Sequence, residues 1–428
     1  MLGEWSMKVS EFTRLCQALD DRNPNRVSEN LIKPFERVDG DSMDEKSVTS
    51  DSMRSMKVAV YFGWLYRWML DFVHELSQLV TDVRPYSMRA YGTYPWRSYE
   101  SRVVMVNPQR FVPFVVNFLA YRADIAILLA SETVVSLLLF ALSKIARSRI
   151  VLIVEENNER SFRNVFLRVL SKLKRVLVVA VHRNADLLIA ESQASAEYLL
   201  RMGCSAERVH AIPHGVNVDV FQPKEKSEEL ARKIGITEDE FRNGVVLFVG
   251  VYNEIKGAEY MTQAILSFPD ANKPTFLLPS EGRVFLKHEE ELRALTNVHT
   301  YPPLLDEMPD LYSLADIVVV PSKKCPGTSS DRSPNSCVEA LACGKAVIGT
   351  NVGGIPLIMG DAGLLIPPND PSAIIEAVSR LIEDANLRRA LQKKARKRAV
   401  SVLSNQVYAR RILALLEDSS RNRKQTRS

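Results

Sequence analysis

The 428-residue chain is 46% hydrophobic and 25% charged, with a formal net charge of +5. Cores stop growing at about 250–300 residues, so this length argues against a single domain, and the composition argues against general disorder. The charge is too dilute to indicate nucleic acid, and the five cysteines (Cys16, Cys204, Cys325, Cys337, Cys343) form no CxxC or Cys/His spacing; this weighs against a zinc site or disulfide framework and points to a reducing, cytoplasmic setting.

Residues 1–55 read as a polar, flexible N-terminal extension: no apolar run with a cleavage site opens the chain, and DGDSMDEKSVTSDSMRS is polar throughout. From Lys57, short apolar runs alternate with helical periodicity, which predicts parallel sheets with crossover helices, an α/β fold. KVAVYF (57–62) is the first strand and leads to the helix LYRWMLDFVHELSQLV; RVVMV (102–106), AIL (126–128), IVLIV (150–154), DLLIAES (186–192) and VHAIP (209–213) continue the series. They form a doubly wound first domain over 56–222. Asp124 and Glu132 interrupt ADIAILLASETVVSLLLFAL (123–142), so it reads as a strand and a packed helix, not as a membrane span of about 20 apolar residues.

The polar stretch 223–244 reads as a linker. The rhythm restarts with VVLFVG (245–250), then TFLLP (275–279), a helix at KHEEELRALT, DIVVVPS (316–322), AVIGT (346–350) and GLLIPP (363–368), a second doubly wound domain over 245–395. A C-terminal helix at about 396–417 is expected to pack back on the first domain, followed by a basic tail, 418–428. Two such domains in tandem leave a cleft where strand carboxyl ends face each other.

The chemistry concentrates in the second domain. Lys256 and Gly257 follow VVLFVG where a helix begins, and free amides beside an ammonium suit a phosphate. DIVVVPS opens the loop KKCPGTSSDRSPN before the helix SCVEALACG. The amides of Asn335, Ser336 and Cys337 in its first turn can hold a diphosphate. Glu339, one turn in, can accept two hydrogen bonds from vicinal hydroxyls; Asp331 precedes the turn and can reach what hangs from the other end of the diphosphate. Gly353 and Gly354 close the same mouth.

PSKKCPGTSSDRSPNSCVEALACGKAVIGTNVGGIPLIMGDAGLLIPPND resembles the nucleotide-sugar signature of the family 4 glycosyltransferases, which retain anomeric configuration and have the GT-B fold of two Rossmann-like domains facing a cleft. ADLLIAESQASAEYLLRMGCSAERVHAIPHGVNVDVFQP is similar to the family's "IPNGVD" passage into the linker, and LFVGVYNEIKGAEYMTQAI to its "FVGRL...KG" segment. The resemblance implies a metal-independent transferase with no cofactor beyond a nucleotide-sugar co-substrate and a sugar, lipid-linked or small-molecule acceptor. It makes Lys256 the diphosphate cation, Glu339 the ribose ligand, Asp331 the group near the donor sugar, Asn335 and Ser336 the phosphate turn, Gly250 the strand end, and Gly353 and Gly354 the pocket wall. An epimerase or phosphorylase on the same architecture, or a nucleotide binder without catalysis, are the alternatives.

The chain departs from the family pattern at several positions. Val251 stands where the family carries an arginine, with Lys323, Lys324 and Arg332 as candidate replacements, and Asp331 stands in place of a glutamate. FGWLYRW replaces a Gly-Gly loop, offering Trp64, Tyr66 and Trp68 as acceptor-site aromatics or core. In VEENNERSF, Glu155, Glu156 and Asn157 are the first-domain candidates, with Glu156 the catalytic choice. RSFRNVFLRVLSKLKRVLVVAVHR (160–183) reads as a core helix with a charged face or as a peripheral contact with an anionic membrane, at the inner face of the cell membrane.

Overall fold

The computed structural model describes residues 51–425 apart from 66, 91–103, 106–110, 131–133, 155–164, 270–272, 281, 302–306 and 325–332. Two all-parallel sheets form. The first joins β1 (Lys57–Leu65), β2 (Asp82–Ala90), β3 (Val104–Met105), β4 (Ile125–Ala130), β5 (Arg149–Val154), β6 (Leu187–Ala190) and β7 (Val209–Ala211) in the order β3-β2-β1-β4-β5-β6-β7. The second joins β8 (Val245–Phe248), β9 (Thr275–Pro279), β10 (Val298–Tyr301), β11 (Ile317–Val320), β12 (Ala346–Thr350) and β13 (Gly363–Ile366) in the order β10-β9-β8-β11-β12-β13. In each sheet the order reverses beside the first strand, where β1 pairs with both β2 and β4, and β8 with both β9 and β11. A crevice opens at such a switch point.

Alternation along each strand divides its side chains between two cores. Val58, Val60 and Phe62 enter one cluster of the first sheet with Ile125, Ile127 and Leu129, while Ala59 and Tyr61 enter the other with Ala126 and Leu128. In the second sheet Val245 and Leu247 pack with Val318 and Val320, and Val246 and Phe248 with Ile317 and Val319. The short helices Glu228–Ile234 and Glu238–Asn243 precede β8, and Leu230, Ala231 and Ile236 are buried in the same cluster as Val245.

The chain returns at its end. Helix Ala385–Val402 places Ala395 and Ala399 in a second-sheet core, then helix Asn405–Gln425 places Tyr408, Ala409, Ile412, Leu413 and Leu416 in a first-sheet core. Where the two crossings meet, Val216 N–H donates to Leu403 O at 2.8 Å and Asn405 N–H to Val216 O at 3.0 Å. Gly215 packs so closely on this joint that an added Cβ would lie 2.7 Å from Asn405 Cα.

Several elements differ from the sequence reading. β2, DVRPYSMRA, carries no apolar run, yet it lies inside the sheet with Tyr86 and Ser87 fully buried. The Arg84 guanidinium lies 4.2 Å from the Tyr121 ring centroid, and Tyr121 O–H donates to the backbone carbonyls of Val58 at 3.2 Å and Asp82 at 3.1 Å. β10, VHTY, and helix Met308–Leu314 are likewise additions. KHEEELRALT is not one helix, because the chain turns at His288 between Arg283–Lys287 and Glu289–Arg293. No helix among the described residues is long and apolar enough to cross a membrane.

Candidate functional site

The carboxyl ends of four neighbouring strands of the second sheet are tied together by their loops. After β8, Gly250 adopts φ +111° with nothing among the described residues within 4 Å of an added Cβ, and Val251 is half exposed (53%). Asn253 then folds the loop by accepting the Lys256 N–H at 3.1 Å. Gly257, at φ +72°, opens helix Ala258–Leu266, and a Cβ there would collide with the Pro321 carbonyl. Only glycine serves at such a position. Lys323 N–H donates to Ile255 O at 3.0 Å, which joins the loop after β11 to the loop after β8. Thr350 O–H donates to Ser322 O at 2.8 Å, and Asn369 Nδ2 lies 3.5 Å from Lys324 O, which bring in the ends of β12 and β13.

Helix Asn335–Ala342 starts at this mouth. Its N-cap residue, Pro334, provides no side-chain hydrogen bond, but its carbonyl accepts the Cys337 N–H at 2.9 Å, so of the three amides expected to hold a diphosphate only those of Asn335 and Ser336 are left for another acceptor among the described residues. Asn335 is exposed and Ser336 is 8% exposed. Glu339 is half-buried and accepts a hydrogen bond from Tyr312 O–H at 2.9 Å. Burial, reinforced by the neighbouring Glu339 carboxylate, holds the Tyr312 phenol far above its ordinary value, so it stays a neutral donor. Burial and then the same carboxylate push the Cys343 thiol up to about 12, which leaves it an inert apolar contact. Beyond β12, Gly353 adopts φ +59° and Gly354 φ −90°, so only the first requires glycine, and helix Ile355–Met359 follows.

The structure thus brings Lys256, Gly250, Asn335, Ser336, Glu339, Gly353 and Gly354 to one end of the second sheet. Asp331, Arg332, Glu155, Glu156, Asn157 and Tyr66 lie outside the described residues, as does the side chain of Trp64. Trp68 is half-buried; it stacks on His214 with centroids 4.7 Å apart and planes at 16°, and packs against the core shared with Tyr408. In helix Val165–Asn184, Val178, Val179 and His182 are buried and Leu177 is 48% exposed; Arg160 and Arg163 precede it outside the described residues.

Two residues with no role in the sequence reading belong to this region. Tyr312 comes from the unforeseen helix Met308–Leu314. His214, 3% exposed, ends the first domain with Nε2 3.0 Å from Ser333 O, just before the helix at Asn335. The one available signal was that HAIPHGVNV carries histidine where the similar passage has asparagine.

Two family models match, one to each sheet: "Glycosyltransferase Family 4" over residues 62–220 and "Glycosyl transferases group 1" over 243–384. Among named relatives, a D-inositol 3-phosphate glycosyltransferase of Xylanimonas cellulosilytica is 30% identical over half of this chain and 52% of its own length, and one of Corynebacterium jeikeium is 30% identical over 51% and 54%. The chain spans about half the length of the curated relatives it matches. Among solved structures, Anabaena HepE in complex with UDP shares the fold with a TM-score of 0.64 at 18% identity, over 85% of this chain and all of that one. Sucrose-phosphate synthase of Thermosynechococcus elongatus does so with a TM-score of 0.62 at 20% identity, over 87% and 100%. Both likenesses concern the two-sheet GT-B architecture.

Proposed function

Because the chain belongs to the family 4 glycosyltransferases, we propose that it is a retaining, metal-independent glycosyltransferase moving a sugar from a nucleotide-sugar donor to a hydroxyl acceptor. The observation that carries this reading is the half-buried Glu339, hydrogen-bonded by Tyr312 one turn into an uncapped helix, at a mouth stitched to the Lys256 loop. A diphosphate on the amides of Asn335 and Ser336 puts a ribose within the province of Glu339 and a transferable sugar near Asp331. Lys256 neutralises the departing diphosphate, Gly250 and the Gly353–Gly354 turn form the walls, and Glu156 belongs to the acceptor side. Residues 56–222 then make the acceptor domain and 245–395 the donor domain.

The acceptor oxygen attacks the anomeric carbon from the face that the diphosphate leaves. The bond from that carbon to the phosphate oxygen breaks as the new C–O bond forms, and the acceptor's proton passes to the departing phosphate oxygen. Fixed positive groups lower the barrier by meeting charge that develops on the leaving group. The HepE complex supports uridine diphosphate sugars as the first donors to test, and the inositol-phosphate relatives support a phosphorylated polyol as the first acceptor. Peripheral contact with an anionic membrane, at the inner face of the cell membrane, rests on the basic residues of 160–183; the uncharged helix Phe111–Tyr121, with Val112 and Val116 70% and 60% exposed, would add only apolar contact.

Val251 favours one second reading, a relative that holds the nucleotide without turning it over, because the exposed apolar side chain stands where a cation on the diphosphate is expected. Incubation with a panel of nucleotide sugars and hydroxyl acceptors separates the two. Acceptor-dependent release of nucleoside diphosphate supports the transferase, and donor binding without release across the panel supports the binder.

A further inference from the structure

We infer that Tyr312 is a positioning residue for Glu339: its hydroxyl fixes the carboxylate rotamer that reads the ribose of the donor nucleotide. The inference rests on the proposed role of Glu339 in nucleotide binding.

Tyr312 is fully buried in an otherwise apolar cluster with Leu311, Leu314, Val338 and Leu341. A hydroxyl placed there loses its water and must find an acceptor within the fold. Two are in reach, both on the donor helix: Glu339 Oε2 at 2.9 Å and Ser336 O at 3.3 Å. One O–H proton serves the shorter, charged contact best, and hydrogen bonds to ionised acceptors are the stronger kind. The donor's own position is over-determined. Its ring meets Phe221 edge-on with centroids 6.1 Å apart, and Arg396 Nη1 donates to Phe221 O at 2.9 Å, Val218 O at 3.1 Å and Ala342 O at 2.8 Å.

The segment leaving the first domain, the C-terminal end of the donor helix and Tyr312 are therefore one packed unit, and Glu339 is the polar group that this unit holds. A carboxylate that must meet two vicinal hydroxyls has to be held in a single rotamer, because misplacement forfeits the bidentate contact. Phenylalanine at 312 would keep the ring packing and remove only the hydroxyl that donates to Glu339.

The test measures affinities of wild type, Tyr312→Phe, Glu339→Gln and the double variant for UDP, GDP and ADP, for their 2′-deoxy counterparts, and for inorganic diphosphate. With the best-held base, wild type should prefer the ribonucleotide by about tenfold, the factor that one oriented charged hydrogen bond supplies. Tyr312→Phe should reduce that preference to about twofold while leaving the 2′-deoxy nucleotide and inorganic diphosphate within about twofold of wild type. Adding Tyr312→Phe to Glu339→Gln should cause no further loss, since the tyrosine acts through the carboxylate. An equal loss for ribo- and deoxyribonucleotides, or additive losses in the double variant, would show a purely structural tyrosine and overturn the inference. A wild type that binds nucleotides without preferring ribose removes Glu339 from the ribose and the inference with it, while a wild type that binds none defeats the transferase reading itself.

Discussion

The imidazole of His214 reaches from the last residues of the first domain to the donor loop, with Nε2 3.0 Å from the carbonyl oxygen of Ser333. Trp68 stacks on the ring from helix Arg67–Ser77, so a first-domain helix, the interdomain crossing and the start of the donor helix share one contact. His214→Ala should lose this buried hydrogen bond and its stacking, destabilising the protein by about 1–3 kcal/mol. It should also weaken nucleotide binding by loosening the loop before Asn335. Thermal unfolding and nucleotide titration of the variant check both effects.

Gly257 and Gly250 both hold left-handed backbone, yet they differ in what surrounds them. Alanine at either costs about 1–2 kcal/mol of conformational energy, but only at Gly257 does the new methyl meet a fixed atom, the Pro321 carbonyl. Gly257→Ala should therefore be the more destabilising in urea and should lower diphosphate affinity by displacing the Lys256 loop from the loop after β11. Equal stabilities for the two variants would mean that the close approach is easily relieved.

Burial pushes the His182 imidazole down to about 4, and its Nδ1 finds no hydrogen-bond partner among the described residues. The unfolded chain takes up this proton near pH 6.5, before the folded protein does. As the pH falls from about 6.5 to 4, stability should therefore fall, by up to about 3 kcal/mol from this group. Replacing His182 with leucine should flatten that part of the profile. Urea midpoints of both proteins at pH 7 and pH 4.5 measure the difference.

Arg396 ends three carbonyls from two segments with one guanidinium nitrogen. Arg396→Ala should remove that shared donor and loosen the 218–221 segment, at a cost of about 2–4 kcal/mol. Limited proteolysis should cut first near that segment in the variant and elsewhere in wild type. Unchanged cleavage would separate Arg396 from the crossing.

Strands built from uninterrupted apolar runs, such as IVLIV and DIVVVPS, were legible because a strand buried on both faces needs apolar side chains throughout. DVRPYSMRA was not, because among its described residues only Pro85, Tyr86 and Ser87 are buried and the Arg84 guanidinium is met by Tyr121 and Asn117, which the run itself does not display. The same limit applies to the site. Lys256, Asn335 and Glu339 follow strand ends and could be found from local pattern and family resemblance. Tyr312 and His214 matter through partners 27 and 119 positions away, and no local periodicity encodes those contacts.

The proposed role of Glu339 and of the helix start at Asn335 is to hold a nucleoside diphosphate. Calorimetric titration of wild type and Glu339→Ala with UDP, GDP and ADP tests this role. Saturable binding of one of them by wild type, weakened about tenfold or more in a normally folded Glu339→Ala, is the predicted result. Binding that Glu339→Ala leaves unchanged, or no binding by wild type, would contradict it.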